Sequence, residues 1–92
     1  MSPAPTVKVY VSSHVRSYTA GRSEIEAEGR TLTELMADLD RRYPGIRFRM
    51  VDEQDGIRRH MRIYVNGGEV DAIDVPLRSS DEIIILQALS GG

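Results

Sequence analysis

The stretch from Thr31 to Tyr43 constrains this chain more than any other. Thr31-Leu-Thr-Glu34 has the form of a capping box, in which the Glu34 N–H can donate to the Thr31 hydroxyl while the Glu34 carboxylate reaches back to the start of the turn. Leu32, Leu35, Met36, Leu39 and Tyr43 follow the spacing of one helical face, and Pro44-Gly45 stops the helix. The opposite face, including Asp38 and Arg42, is expected to be solvated. A lone amphipathic helix cannot bury its stripe against itself, so the remainder of the chain must supply a second layer.

The flanking segments read as strands. Thr6-Val-Lys-Val-Tyr-Val11 alternates with period two, setting Val7, Val9 and Val11 on one face. After a polar stretch containing Gly21, Ser23 to Glu28 alternates again, with Ile25 and Ala27 pointing one way and glutamates the other. Met61 to Val65 is a third strand, Asn66-Gly67 a strong hairpin signal, and Glu69 to Ala72 is expected to pair behind it. Glu82 to Gln87 is the last strand. Residues 45 to 60 offer Ile46, Phe48, Met50, Val51 and Ile57 as candidate core contacts among polar residues, which predicts a short helical turn and then a loop. Two hairpins flanking a helix, with a final strand free to return beside the first, fit an α+β, β-grasp arrangement, a mixed sheet packed on one main helix. Other ββαββ arrangements fit nearly as well. No repeat or linker divides the chain, so the expected organisation is one domain over residues 1–87 and a flexible tail over 88–92.

Charge and composition exclude several functions. Eleven of the twelve basic residues are arginine, but they are interleaved with fourteen acidic ones for a net charge of −2, without the basic excess that nucleic-acid binding requires. No apolar run is long enough for a membrane span, and Met1-Ser-Pro-Ala-Pro5 lacks the character of a signal peptide, so the expected location is cytoplasmic. With no cysteine in 92 residues, disulfides, thiolate metal ligands and a thiol nucleophile are excluded. His14 and His60 have no neighbouring ligand at metal-binding spacing, so no metal site is expected. Ser12, Ser13 and Ser17 lie near His14 without an oxyanion feature, and Gly67-Gly68 reads as a turn rather than a phosphate loop. Arg58-Arg59-His60 with Arg62 reads as a solvated charge run rather than a docking patch for an acidic partner. No base, nucleophile or metal cluster converges on a site, so the chain is expected not to be an enzyme.

Two anomalies point to function. Ile83-Ile84-Ile85-Leu86 is apolar on both faces, although a sheet with one covered face should alternate. If Ile83 and Ile85 face the helix, Ile84 and Leu86 face outward, and Tyr10 and Tyr64 join them if their strands are neighbours. Such a patch is the mark of a partner surface, unless residues 45 to 60 fold over it or the chain dimerises there. The second anomaly is the end, Ala88-Leu-Ser-Gly-Gly92. Chance supplies two closing glycines in roughly one chain in two hundred, and lacking Cβ atoms they can thread a narrow channel and present an α-carboxylate to a buried site. Five extended residues reach about 17 Å. A free carboxylate can be converted by ATP to an acyl-adenylate that a sulfur nucleophile attacks. Inert frayed backbone is the alternative reading of the same residues.

Taken together, Val7 to Val11, the helix from Thr31 to Tyr43, Ile63-Tyr-Val-Asn-Gly67 and above all Asp81-Glu-Ile-Ile-Ile-Leu86 leading to Ser90-Gly91-Gly92 resemble the MoaD/ThiS family of ubiquitin-like sulfur carriers over nearly the whole chain. The longer stretch before Ile63 is most similar to the carriers of actinobacterial cysteine biosynthesis. The resemblance implies a ubiquitin-like β-grasp fold and a covalent site at Gly92. It also implies that Leu89, Ser90 and Gly91 form the presenting tail, while the parity of the strands sets Tyr10, Tyr64, Ile84 and Leu86 on the face that partners are expected to engage. It implies a carrier acting as cosubstrate, with no cofactor of its own and ATP bound by the activating partner. That partner is an E1-like adenylyltransferase/sulfurtransferase. The sulfur acceptor is a pyridoxal-phosphate cysteine synthase, the molybdopterin synthase large subunit or another biosynthetic enzyme. Gln87 stands where relatives often carry proline, so the tail's exit angle does not follow from the resemblance. Two other readings use the same residues differently: a protein modifier conjugated through Gly92, and an interaction domain that needs only the sheet face.

Overall fold

The computed structural model describes residues 4–88. Its elements run β1 (Thr6–Val11), β2 (Glu24–Glu28), α1 (Leu32–Arg42), α2 (Ile46–Met50), β3 (Met61–Val65), β4 (Gly68–Glu69) and β5 (Glu82–Gln87). One five-stranded sheet has the order β2-β1-β5-β3-β4. β1 and β5 are parallel and every other neighbouring pair is antiparallel, so the sheet is mixed, with the last strand returning to the middle beside the first. Of the arrangements open to the sequence this is the β-grasp.

The helix begins as its cap predicts. Thr31 is extended, its hydroxyl accepts from the Glu34 N–H at 3.2 Å, and the Glu34 carboxylate accepts from the Arg30 N–H at 2.9 Å, one residue ahead of the cap. Leu32, Leu35, Met36 and Leu39 are fully buried against Val7, Val9, Ile25, Ala27, Ile63, Ile83 and Ile85 from the sheet. The alternation seen in β1 and β2 is thus the alternation between this core and solvent.

The polar face of α1 is not simply solvated, which corrects the expectation for Asp38. Its side chain is only 13 % exposed, and it accepts from the Glu28 N–H at 2.8 Å and from Arg42 Nε at 2.8 Å, with Arg41 on its other oxygen. Partial burial pushes this carboxyl up, but the Glu28 N–H and the two guanidinium groups outweigh it and hold the pKa below its ordinary value. Asp38 therefore ties α1 to the end of β2. Gly29, at that junction, is required by close approach: a Cβ there would lie 2.4 Å from the Leu35 nitrogen.

Residues 45–60 form the expected short helix and loop, closed by a bridge between Val51 and Ile57. Ile46, Met50 and Val51 join the core and α2 packs on α1, so this segment does not fold over the outer sheet face. Phe48 departs from its expected role as a core contact and is 68 % exposed.

Asn66 (φ 51°) and Gly67 (φ 85°) both adopt the left-handed conformation of the predicted tight hairpin turn. The strand behind it is shorter than expected: Gly68 and Glu69 pair, the Val70 N–H still donates to the Ile63 carbonyl at 3.0 Å, and Asp71 and Ala72 leave the sheet. Contacts to α1 draw the chain away at this point. Ile73 is pulled into the core with its carbonyl accepting from the Thr33 hydroxyl at 2.8 Å, and the Val75 carbonyl accepts from the Leu32 N–H at 2.9 Å at the N-terminus of α1. Among the described residues, no helix is long and apolar enough to cross a membrane.

Candidate functional site

The strand register places the outward residues with little freedom. Tyr10 on β1 and Tyr64 on β3 are both directly opposite Ile84 on β5, and Glu24 and Glu69 continue the same row onto β2 and β4. Ile84 is thus the centre of a band of aromatic and aliphatic surface, 38 % exposed and flanked by two half-buried tyrosines. Leu86 extends the band one step toward the C-terminus, opposite Arg62. All four residues expected on this face are brought together, and no segment of the described chain covers them as a layer.

Charge frames the band. The Tyr10 hydroxyl donates to Glu82 at 3.5 Å, Lys8 faces Glu24 at 3.8 Å, and Arg62 faces Glu69 at 3.7 Å. These pairs are solvent-exposed and contribute little to stability, roughly 0–1 kcal/mol each. Their consequence is positional: glutamates dominate around β2 and the start of β5, whereas Arg62 lies where β5 runs out toward the tail.

The start of β5 is fixed by Asn66. Its side chain accepts from the Glu82 N–H at 2.9 Å and donates to Asp81 at 2.8 Å, while its own N–H donates to the Glu82 carbonyl at 2.9 Å. The hydrogen bond from Asn66, with another from the Arg78 N–H, holds the Asp81 carboxyl below its ordinary pKa. The hairpin turn therefore anchors the strand that carries the apolar centre.

The far end of β5 shows how the chain leaves the sheet. The Gln87 N–H donates to the Ser12 hydroxyl at 3.3 Å, the Ala88 N–H donates to the His60 carbonyl at 2.8 Å, and the Gln87 side-chain oxygen accepts from Arg49 of α2. Gln87 thus takes a guanidinium partner from the helix side of the sheet. Arg49 was not singled out in the sequence, since its contact spans 38 positions and no local pattern marks it. Leu89, Ser90, Gly91 and Gly92 lie outside the described residues. Among the described residues no three of His, Cys, Asp and Glu are grouped as they would be to hold a metal ion.

A β-grasp sheet with an aromatic–aliphatic outer band, running directly into the C-terminal segment, defines the class of small ubiquitin-like proteins. Comparison with known proteins narrows this. The ThiS family model matches residues 9–92, and the chain belongs to that family. The sulfur carrier protein CysO of Mycobacterium tuberculosis is 31 % identical over 91 residues, covering 94 % of this chain and 98 % of the relative. In the crystal structure of the Amycolatopsis orientalis BexX/CysO complex, the similar chain superposes with a TM-score of 0.85 at 31 % identity, covering 94 % of this chain and 99 % of that one. The small archaeal modifier protein 1 of Methanosarcina acetivorans superposes with a TM-score of 0.80 at 25 % identity over 99 % of this chain and 100 % of its own. The chain is a sulfur carrier protein of the CysO/ThiS type.

Proposed function

We propose that this protein carries sulfur as a thiocarboxylate on Gly92, acting as cosubstrate of partner enzymes rather than as a catalyst. The observation that carries the reading is that the family match runs through Gly91-Gly92 while the apolar band leads along β5 into the same segment. A carboxylate oxygen of Gly92 attacks the α-phosphorus of ATP on an E1-like adenylyltransferase, forming the acyl-adenylate and releasing pyrophosphate. A hydrosulfide equivalent then adds to the acyl carbon and expels AMP, leaving a thiocarboxylate with no change of oxidation state at carbon. ATP belongs to the activating partner, and this chain contributes the electrophile and the docking surface.

Tyr10, Tyr64, Ile84 and Leu86 dock the partner. Burying an aromatic-flanked aliphatic centre is the usual means by which a small interface gains affinity, and the structural relative in a BexX/CysO complex supports a protein partner. The acceptor is a biosynthetic enzyme that takes the sulfur, and likeness to CysO favours one that makes cysteine. Intact mass spectrometry after incubation with ATP, sulfide and the E1-like enzyme of the same organism tests the reading. Replacement of one oxygen by sulfur at Gly92 is expected, and neither adenylate nor thiocarboxylate would overturn it.

Likeness to a small archaeal modifier protein supports a second reading, conjugation through Gly92 to lysines of other proteins. It shares the adenylate but predicts isopeptide-linked adducts in cells, which the carrier reading does not.

A further inference from the structure

Any enzyme that takes the C-terminal tail into a channel must set the rim of that channel against whatever surrounds Ala88. On one side β5 ends beside β3, with Leu86 opposite Arg62 and Gln87 opposite Met61. The turn preceding β3 brings Arg58, Arg59 and His60 to the same edge, where the His60 carbonyl receives the Ala88 N–H and the Arg59 carbonyl receives Arg62 Nη1 at 2.7 Å. On the helix side Arg49 reaches Gln87. An open depression of about 220 Å³ lies here, lined by Tyr18, Phe48, Arg49, Arg58 and His60. Phe48 is the most exposed large apolar side chain described, and the Arg58 guanidinium lies over its ring, 4.4 Å from the centroid.

Four arginines and a histidine thus gather at the tail root of a chain whose net charge is −2. Acids border this group: Asp52 accepts from the N–H groups of Gln54 and Gly56 and lies within reach of the Arg58 charge, Glu53 lines a depression with Phe48 and Arg58, Asp55 pairs with Arg47, and Glu69 pairs with Arg62 at 3.7 Å. Sequence alone favours a solvated charge run at Arg58-Arg59-His60, but the fold adds Arg49 from a different element and an aromatic ring that solvation does not explain.

We propose that Arg49, Arg58, Arg59 and Arg62, with Phe48, form a basic collar around the tail root that seats against an acidic rim at the mouth of the tail-accepting enzyme. The carboxylates of that rim meet the guanidinium groups, and an apolar recess in it takes the Phe48 ring. This site adjoins the Ile84 band where Arg62 stands opposite Leu86 and extends from there to the helix side of the sheet: the band supplies apolar burial, while the collar orients the tail at the channel entrance and steers encounter through charge. The proposal rests on the carrier reading and names a further surface within it.

The test is ATP–pyrophosphate exchange by the organism's E1-like adenylyltransferase, with the full chain as the varied substrate. Arg59→Glu and Phe48→Ser alter exposed side chains, so both variants are expected to keep the wild-type melting temperature. Each should raise KM for the carrier by about tenfold while kcat changes by less than about twofold, and the Arg59→Glu variant should lose much of the salt dependence of kcat/KM. Glu26→Lys, on β2 away from the tail, should leave KM unchanged. If wild-type protein supports exchange and both collar variants match it in KM and salt dependence, the collar is refuted while the carrier reading stands. If one variant unfolds, the other decides. Absence of exchange with wild-type protein overturns both.

Discussion

Ile84 and Ile85 are chemically identical neighbours, and the fold assigns them opposite duties. Ile85 is fully buried between the sheet and the core, whereas Ile84 is 38 % exposed at the centre of the outer band. Truncating Ile85 to Ala leaves a cavity in a closed core and should cost about 2–5 kcal/mol. The same change at Ile84 removes three carbons that are only about three-fifths covered, with solvent free to fill the space. At about 0.8 kcal/mol per buried methylene that is a loss of about 1.5 kcal/mol, part of it the cross-strand contact with Tyr10 and Tyr64. Chemical denaturation of Ile84→Ala and Ile85→Ala measures the difference. Adenylation kinetics, at a temperature where both are folded, supplies the second axis: Ile84→Ala should raise KM for the carrier by about tenfold and Ile85→Ala should leave it near wild type. Equal stability losses with an unchanged KM for Ile84→Ala would mean that the outer band belongs to the fold alone, and the docking argument would fail.

Removing Gly92 should abolish thiocarboxylate formation while leaving the melting curve unchanged; a truncated chain that still delivered sulfur would defeat the assignment. Gly29→Ala should destabilise the protein by about 1–3 kcal/mol through overpacking against the start of α1, read as a shift in denaturation midpoint; a neutral result would show that β2 and α1 can separate cheaply. Asp38 and Asp81 have folded pKa values below the unfolded one, so in acid the unfolded chain binds more protons. Their contribution is complete above about pH 4 and is lost as pH falls through the folded values. Asp38→Asn should lower stability at pH 7 and flatten that acid slope in urea titrations, and an unchanged slope would show that Asp38 does not hold the Glu28 N–H in solution.

What the sequence made legible is what depends on neighbours along the chain. The Thr31 cap, the stripe from Leu32 to Leu39, the alternation of β1 and β2 and the Asn66-Gly67 turn are all local patterns, and each has its place in the fold. The errors share a different cause. Asp38 pattern-matches to a solvated helix face, yet the strand that precedes the helix brings a free N–H to it. Phe48 has the chemistry of a core residue, but α2 offers Ile46 and Met50 to the core, and Phe48 lies on its other side. Ala72 could have extended β4, but Ile73 beyond it is needed under the helix. In each case a long-range contact outweighed a local preference.

β5 is where the two kinds of information meet. A central strand with only a structural task needs one apolar face here, because among the described residues no helix covers the other side of this sheet, and β2 obeys that rule with glutamates outward, as β1 does at Lys8 but not at Tyr10. Ile84 and Leu86 break it although Ile83 and Ile85 already fill the core. The exception is confined to the rows nearest the tail: Glu82, one step earlier on the same face, is charged and opposite Lys8. The apolar surface therefore follows the direction in which the chain leaves the sheet, which is the arrangement the proposed docking requires: a partner that takes the face and the end together.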